Sequence, residues 1–301
     1  MDEFQSSLKS TDTEETIDVY FYRPIGYRWA LLFRRLGVHP NTVTIFSIIL
    51  GVSAGILFYF NDIKLNLVGI LLLMWANMYD SADGLLARLT GQKTALGRIL
   101  DGFAGDLWFF AIYVSIALRL TPEWGIWIWI TVLFDGFVCH ARQCQLADYY
   151  RNIHLFFLKG KEGSEMDDSV GQQEKYNKLD WRTDFISKLF QFFYVRYVRA
   201  QEGMTPKFQL FKREMLARYP SALPLKLRED FREGSLPLMK YANFLTFNWR
   251  SILLALSLIV GAPWIYIAAE LVLFSLVFFY MRACHEALCD RLLTQLDQYE
   301  R

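Results

Sequence analysis

The chain has 301 residues, of which 53% are hydrophobic, 17% are aromatic and 21% are charged, and its formal net charge is +1. The hydrophobic and aromatic fractions are typical of a membrane protein, but the charged fraction is too high for a chain made only of membrane spans. The near-zero net charge and the absence of a basic tract argue against a nucleic-acid-binding protein. The composition therefore predicts a membrane protein with a sizeable soluble part.

The N-terminal part of the chain ends in an amphipathic stretch. Residues 17–36 mix aromatic and aliphatic side chains with four arginines and lead directly into an apolar run. This pattern is typical of a helix that lies in the membrane interface. Residues 1–41 are therefore predicted to be a cytoplasmic N-terminus that carries an interfacial amphipathic helix.

Six apolar segments are long enough for a membrane-spanning helix, which needs roughly 20 residues. A Gly-Ala-Pro turn at 261–263 separates the last two segments, as suits antiparallel helices. The predicted fold is all-α and polytopic, with about six transmembrane helices in the cell inner or plasma membrane. The predicted spans lie near residues 42–61, 65–88, 95–118, 125–146, 242–260 and 264–284.

Loop charges predict the orientation of these spans. If the N-terminus is cytoplasmic, the basic residues that lie on the cytoplasmic side of the membrane are Arg34, Arg35, Lys93 and Arg98. Because basic loops stay in the cytoplasm, both termini and the loop after the second span are predicted to be cytoplasmic.

Residues 152–241 lie between the fourth and fifth predicted spans and are not apolar enough to be a further span. We predict that they form a cytoplasmic helical insertion that rests on the membrane surface or caps a site. Lys159–Lys178 is polar and acidic, which is typical of a flexible linker. The following part contains four prolines, too many for one long helix. The predicted division of the chain is 1–41, catalytic membrane helices 42–151, insertion 152–241, and closing helices with a tail 242–301.

Four carboxylates lie where a membrane helix should carry no charge. Asp80 and Asp83 fall in the second predicted span, and Asp101 and Asp106 in the third. A charge at bilayer depth costs on the order of 2.5–3.5 kcal/mol, so this group indicates a functional site. Asp80 and Asp83 are three residues apart and share one helical face. Carboxylates from two helices suit a hard divalent cation such as Mg²⁺ or Mn²⁺.

The order of these residues resembles the signature of the CDP-alcohol phosphotransferase family, D-x₂-D-G-x₂-A-R-x₈-G-x₃-D-x₃-D. The eighth fixed position asks for Asp at 105, where this chain has Gly105, and Asp106 follows one residue late. The seven matching positions are Asp80, Asp83, Gly84, Ala87, Arg88, Gly97 and Asp101.

A second mark of the same family lies upstream. Gly37–Thr44 resembles the family's entry to its first membrane helix, G-x-x-P-N-x-[ILV]-T. Pro40 near the helix start and Asn41 as the N-cap also suit ordinary helix punctuation.

The resemblance implies a transferase of phospholipid synthesis that moves a substituted phosphate from a CDP-alcohol to a hydroxyl acceptor and releases CMP. It implies a CDP-linked lipid, a polar or lipid alcohol acceptor, bound Mg²⁺ or Mn²⁺, and a homodimer. The six-span form favours CDP-diacylglycerol as donor over transfer of a polar head group to a diglyceride or ceramide. The expected metal ligands are Asp80, Asp83, Asp101 and Asp106, and the expected nucleotide-binding residues are Asn41, Gly84, Ala87, Arg88 and Gly97.

Asp106 lies one residue after the position at which the signature has its last Asp, and this shift needs a structural explanation. On a regular α-helix, position 105 lies about 40° around the axis from Asp101, whereas position 106 lies about 140° around. A π-bulge between 101 and 106 would return Asp106 to the site, and Gly102 and Gly105 make the backbone compliant there. We therefore predict that Asp106 is both the fourth ligand and the general base through such a bulge.

Arg142 at the cytoplasmic end of the fourth span is predicted to bind the acceptor. Its guanidinium matches phosphate oxygens in pairs, as in glycerol or inositol phosphate. The alternative is an interfacial arginine with no ligand.

Two other functional classes remain open for this sequence. The missing Asp at 105 suggests a catalytically dead scaffold, and intramembrane carboxylates also occur in divalent-cation transporters. A transporter leaves the spacing of Ala87, Arg88 and Gly97 unexplained.

Overall fold

The computed structural model describes residues 10–92, 94–160 and 166–300, which form helices and no strand. The predicted all-α fold is therefore confirmed. These residues fold as two compact units. The first unit contains Glu14–Ala141 and Phe247–Val272, and the second contains Ser10–Thr13, Arg142–Thr246 and Leu273 onward. The predicted four-part division of the chain stays a prediction.

Thirteen α-helices and three π-helical turns account for most of the described chain. The α-helices are α1 (Arg23–Arg35), α2 (Pro40–Leu57), α3 (Ile63–Thr90), α4 (Ala95–Trp124), α5 (Ile126–Phe134), α6 (Ala141–Lys159), α7 (Ser169–Lys178), α8 (Phe185–Met204), α9 (Pro206–Arg218), α10 (Leu225–Phe244), α11 (Phe247–Ile259), α12 (Trp264–Ala269) and α13 (Ser275–Thr294). The π-helical turns are Asp18–Tyr22, Asp135–His140 and Glu270–Phe274.

The core of the first unit is built around α2, which packs against both α3 and α4. Small residues allow this close approach. A Cβ atom on Gly51 of α2 would lie 2.2 Å from the Trp108 ring of α4, so any larger residue at position 51 would push the helices apart. Other buried residues of this core include Ala54, Phe58, Leu73, Ala76, Ile112 and Ile116.

Within the described residues, four helical stretches are long and apolar enough to cross a membrane. The predicted number of six spans is therefore approximate. The second and fourth predicted spans correspond to α3 and to the helix that begins with α5, and both carry acidic residues within apolar sequence. The four stretches are Pro40–Leu57, Leu100–Trp124, Leu225–Ile259 and Trp264–Thr294.

The predicted N-terminal helix is confirmed as a helix, since the π-helical turn Asp18–Tyr22 runs directly into α1. Its place at the membrane interface stays a prediction. Residues 1–9 of the predicted cytoplasmic N-terminus, and Lys93 in the orientation argument, lie outside the described residues.

The predicted flexible linker Lys159–Lys178 is wrong for its second half, which forms α7. Asp168 caps this helix, because its Oδ1 accepts a hydrogen bond of 2.7 Å from the Gly171 amide. A side-chain cap of this kind supplies an acceptor for an otherwise unpaired amide at the helix start. Glu162 and Glu165 of the predicted linker lie outside the described residues.

The remaining part of the insertion consists of separate helices, as its prolines predict. Pro206 is the first residue of α9, and Pro220 and Pro224 lie in the connection to α10. Pro237 is an exception because it lies inside α10.

We expect Gly51→Ala to lower the thermal unfolding temperature of the detergent-solubilised protein. The added methyl group would overlap the Trp108 ring, and overpacking of this kind typically costs about 1–3 kcal/mol. The matched control is Gly105→Ala, since a Cβ atom there meets nothing within 4 Å. Equal melting temperatures for the two variants would contradict the packing of α2 on α4.

Candidate functional site

Three carboxylates come together from α3 and α4. Asp80, Asp83 and Asp101 each offer an oxygen, and these oxygens all lie within 4.8 Å of one another. Asp83 is only 3% exposed, and its Oδ2 has no hydrogen-bond partner among the described residues. A buried acceptor without a partner is costly unless a cation satisfies it. The site therefore fits an oxygen-coordinated divalent cation, and it brings three of the four predicted metal ligands together.

The predicted π-bulge between 101 and 106 is wrong. α4 is a regular α-helix from Ala95 to Trp124, so the extra residue is not absorbed. Asp106 is exposed and is not part of the three-carboxylate group. On a regular helix it points about 140° away from Asp101. The geometry thus gives no support to Asp106 as a metal ligand, and its role as a base stays a prediction.

Asn41 and Gly97 lie together at the start of α4. The Asn41 Oδ1 accepts a hydrogen bond of 3.3 Å from the Thr94 hydroxyl, which itself accepts one of 2.9 Å from the Gly97 amide. A Cβ atom on Gly97 would lie 2.7 Å from Asn41 Oδ1, so glycine is needed for this contact. The predicted N-cap at Asn41 is wrong, because the His39 side chain caps α2 instead.

Gly84, Ala87 and Arg88 occupy the last turns of α3 after Asp83. A Cβ atom on Gly84 would lie 3.5 Å from Nη1 of Arg88, so the guanidinium lies close to this glycine. Arg88 is exposed, and it interacts electrostatically with Asp83 and Asp101. The positively charged Arg88 guanidinium beside the acidic group is suited to bind a phosphate.

Arg23 is a residue of this region that the sequence did not single out. It forms a salt bridge of 3.0 Å with Glu14 and interacts electrostatically with Arg88. Its position in the amphipathic segment is 57 or more residues from the carboxylate motif, and no spacing connects the two. Only the packing of α1 on α3 places a second guanidinium near the first.

Comparison with known proteins agrees with the motif and the geometry. Residues 37–154 match the family model described as CDP-alcohol phosphatidyltransferase. This part of the chain is a CDP-alcohol phosphatidyltransferase domain. The family resemblance seen in the sequence is therefore confirmed.

One curated relative of the domain is the archaetidylinositol phosphate synthase of Pyrococcus horikoshii. It is 33% identical over 108 residues, which are 36% of this chain and 55% of that protein. The chain thus spans about half the length of the curated relative it matches. No solved structure matches the chain.

Arg142, the predicted acceptor-binding residue, belongs to the second compact unit and is exposed. The three carboxylates belong to the first unit. Exposure leaves the guanidinium accessible to a ligand, and its role stays a prediction.

A second charged group lies buried in the first unit and was not predicted. Arg250 and Glu270 form a fully buried salt bridge, and Glu270 also accepts a hydrogen bond from the Tyr113 hydroxyl. His140 Nδ1 lies 3.2 Å from Glu270 Oε1. The residues come from distant parts of the chain, so no local spacing could reveal them. His140 is thereby buried within this network.

In the second unit, Ser235, His154 and Asp12 form a chain of hydrogen bonds. The Ser235 hydroxyl lies 2.7 Å from His154 Nδ1, and His154 Nε2 lies 3.2 Å from Asp12 Oδ2. Ser235 is fully buried, so it cannot reach a substrate as a nucleophile. The Arg232 guanidinium lowers the pKa of Asp12, and burial lowers the pKa of His154. This network attaches residues 10–13 to the second unit.

We expect Asp101→Asn to weaken Mn²⁺ binding by about 10-fold or more, because it removes the one carboxylate that α4 gives to the group. Asp106→Asn should leave the affinity unchanged, since Asp106 lies outside the group. Titration of the purified protein with Mn²⁺, followed by electron paramagnetic resonance of the free ion, measures both. An equal loss in the two variants would restore Asp106 as a ligand.

Proposed function

We propose that this protein is a membrane-embedded, metal-dependent transferase that moves a substituted phosphate from a CDP-alcohol to a hydroxyl acceptor and releases CMP. The observation that carries the proposal is the group of three carboxylates within 4.8 Å of one another in a CDP-alcohol phosphatidyltransferase domain. Phosphoryl transfer depends on positioning and on neutralisation of phosphate charge, and such a group binds the required cation.

Asp80, Asp83 and Asp101 are the residues that would hold Mg²⁺ or Mn²⁺. When bound, the ion neutralises charge on the phosphate oxygens of the donor. Arg88 offers its exposed guanidinium to the same phosphates. We propose that the nucleotide binds on this side of the site, where the side chains are small or polar. These residues are Gly84 and Ala87 of α3, and Gly97 with Asn41 at the start of α4.

The reaction forms one phosphorus–oxygen bond and breaks another. The acceptor hydroxyl oxygen attacks the phosphorus that carries the alcohol substituent, the anhydride bond to the cytidine phosphate breaks, and CMP leaves. The hydroxyl proton must pass to a base. We propose the Asp106 carboxylate for this step, a role that requires proximity to the acceptor but no bond to the metal.

CDP-diacylglycerol is the donor that we propose, on the resemblance to six-span transferases of this family. The matched relative is named for the synthesis of archaetidylinositol phosphate, which supports a phosphorylated polyol as acceptor. We propose that Arg142 binds the phosphate of that acceptor. Transfer of a CDP-linked polar head group to a diglyceride or ceramide is the alternative direction.

We propose a multi-pass location in the cell inner or plasma membrane with the site and both termini in the cytoplasm, where nucleotide-activated substrates occur. Support comes from the loop charges and from the four apolar stretches. Family membership supports a homodimer, which the mass of the detergent-solubilised protein by light scattering would test.

We expect purified protein with Mg²⁺ to release CMP from CDP-diacylglycerol in the presence of glycerol phosphate or inositol phosphate. Mass spectrometry should then detect the corresponding phospholipid, and chelation should abolish both products. CDP-linked polar alcohols with diglyceride test the alternative direction in parallel. If no donor and acceptor pair releases CMP while Mn²⁺ still binds, the protein is a catalytically dead relative.

Arg142→Ala should raise the apparent KM for the phosphorylated acceptor at least several-fold and leave the KM for the CDP donor nearly unchanged. The reason is that a guanidinium bound only to the acceptor phosphate contributes to that substrate alone. Initial rates with each substrate varied in turn give the two constants. Equal effects on both substrates would identify Arg142 as an interfacial residue without a ligand.

Reporters fused after Arg301 and inserted near Gly171 should both give a cytoplasmic signal. The expectation rests on the loop charges and an even number of spans. An extracytoplasmic signal from the inserted reporter would overturn the topology.

A further inference from the structure

Helix α8 of the insertion has one face covered by its own unit. Val195, Val198 and Gln201 are buried on this face. The Gln201 amide donates a hydrogen bond of 3.0 Å to the backbone oxygen of Gln145 on α6. This side of α8 is therefore fixed in the second unit and unavailable to a partner.

The opposite face of α8 is apolar and exposed. Phe185, Ile186, Leu189 and Phe193 are 39–60% exposed. Their spacing of one, three and four residues places them on one side of the helix, roughly opposite the buried side. We refer to these four residues as the α8 stripe. Exposed apolar side chains aligned along one helical face are typical of an interaction surface.

Basic side chains border the α8 stripe. Arg196 and Arg199 line a groove of about 310 Å³ together with Tyr176 and Phe192. The Arg196 guanidinium lies 4.9 Å from the centre of the Phe192 ring. Glu202, the one acidic residue of α8, accepts a hydrogen bond of 2.9 Å from the Ser169 amide at the start of α7. Within α8 itself, the charged side chains other than Glu202 are thus all basic.

We propose that the α8 stripe is a docking surface for the cytoplasmic face of a bilayer that contains anionic phospholipid. The four apolar side chains enter the interface, and Arg196 and Arg199 bind lipid phosphates. An amphipathic helix with aromatic and aliphatic residues on one side and basic residues beside them has the composition of interfacial helices. Helical stretches long and apolar enough to cross a membrane occur in the chain before the insertion and from Leu225 onward. The proposal goes beyond the transferase reaction, which can succeed or fail independently.

Position-specific labels test the first half of the proposal on the full chain. In a background with Cys139, Cys144 and Cys284 changed to Ser and Cys289 to Ala, an environment-sensitive fluorophore is attached to Ile186→Cys or Phe193→Cys. Ser187→Cys is the matched control, because Ser187 is exposed but lies about 100° from Ile186, outside the stripe. Nanodiscs with brominated phosphatidylglycerol should quench the labels at 186 and 193 at least about twofold more than the label at 187.

The arginine half is tested in the same discs. Arg196→Gln combined with Arg199→Gln should reduce the quenching at 186 in brominated phosphatidylglycerol to the level seen in brominated phosphatidylcholine. Arg213→Gln is the control, since Arg213 is 73% exposed on another helix and should change nothing. Melting curves of all variants confirm that they are folded.

Three results would overturn the proposal. The first is equal quenching at positions 186, 187 and 193. The second is quenching that does not depend on phosphatidylglycerol or on the two arginines. The third is protection of the labels in detergent that increases with protein concentration, because the α8 stripe would then be an interface between copies of this chain.

Discussion

A carboxylate buried among apolar helices needs a compensating positive charge, and this requirement governs the first unit. Asp83 is nearly inaccessible, one of its oxygens has no partner among the described residues, and two further carboxylates lie within 4.8 Å. Three negative charges at this distance repel one another strongly in a medium of low dielectric constant. Arg88 is exposed and offsets only part of this repulsion. The proposed divalent cation, bound among the three oxygens, would remove this repulsion.

The second charged group of the same unit meets the requirement differently. Arg250 supplies a cation within the protein, and Glu270 is bonded to it and to Tyr113. Asp135, fully buried nearby, also interacts electrostatically with Arg250. Both acidic residues begin a π-helical turn. Arg250 balances the charge of Glu270, whereas neither oxygen of Asp135 has a hydrogen-bond partner among the described residues. The Arg250–Glu270 pair is thus compensated within the protein, whereas the three-carboxylate group is the proposed metal site.

The sequence predicted those parts of the site that depend on local geometry. Asp80 and Asp83 must share a face because they are three residues apart on one helix. Asp101 reaches them because α3 and α4 are joined by a short connection at the end where the motif lies. The predicted bulge before Asp106 was wrong because local sequence did not decide the backbone conformation there. Glycines permit a distorted backbone but do not impose one, and the hydrogen bonds of α4 favour the regular helix.

The sequence by itself determined the helical class, the amphipathic N-terminal helix and the three carboxylates that come together in the candidate site. Hydrophobic periodicity and motif spacing act over one or two helices, so a local pattern records them. Tertiary structure alone decided the proximity of Arg23 to Arg88, the pairing of Arg250 with Glu270, and which face of α8 is covered. These contacts join residues 20 to 65 or more positions apart, or depend on which neighbour a helix finds. Such long-range choices follow from the packing of whole helices, which no local pattern records.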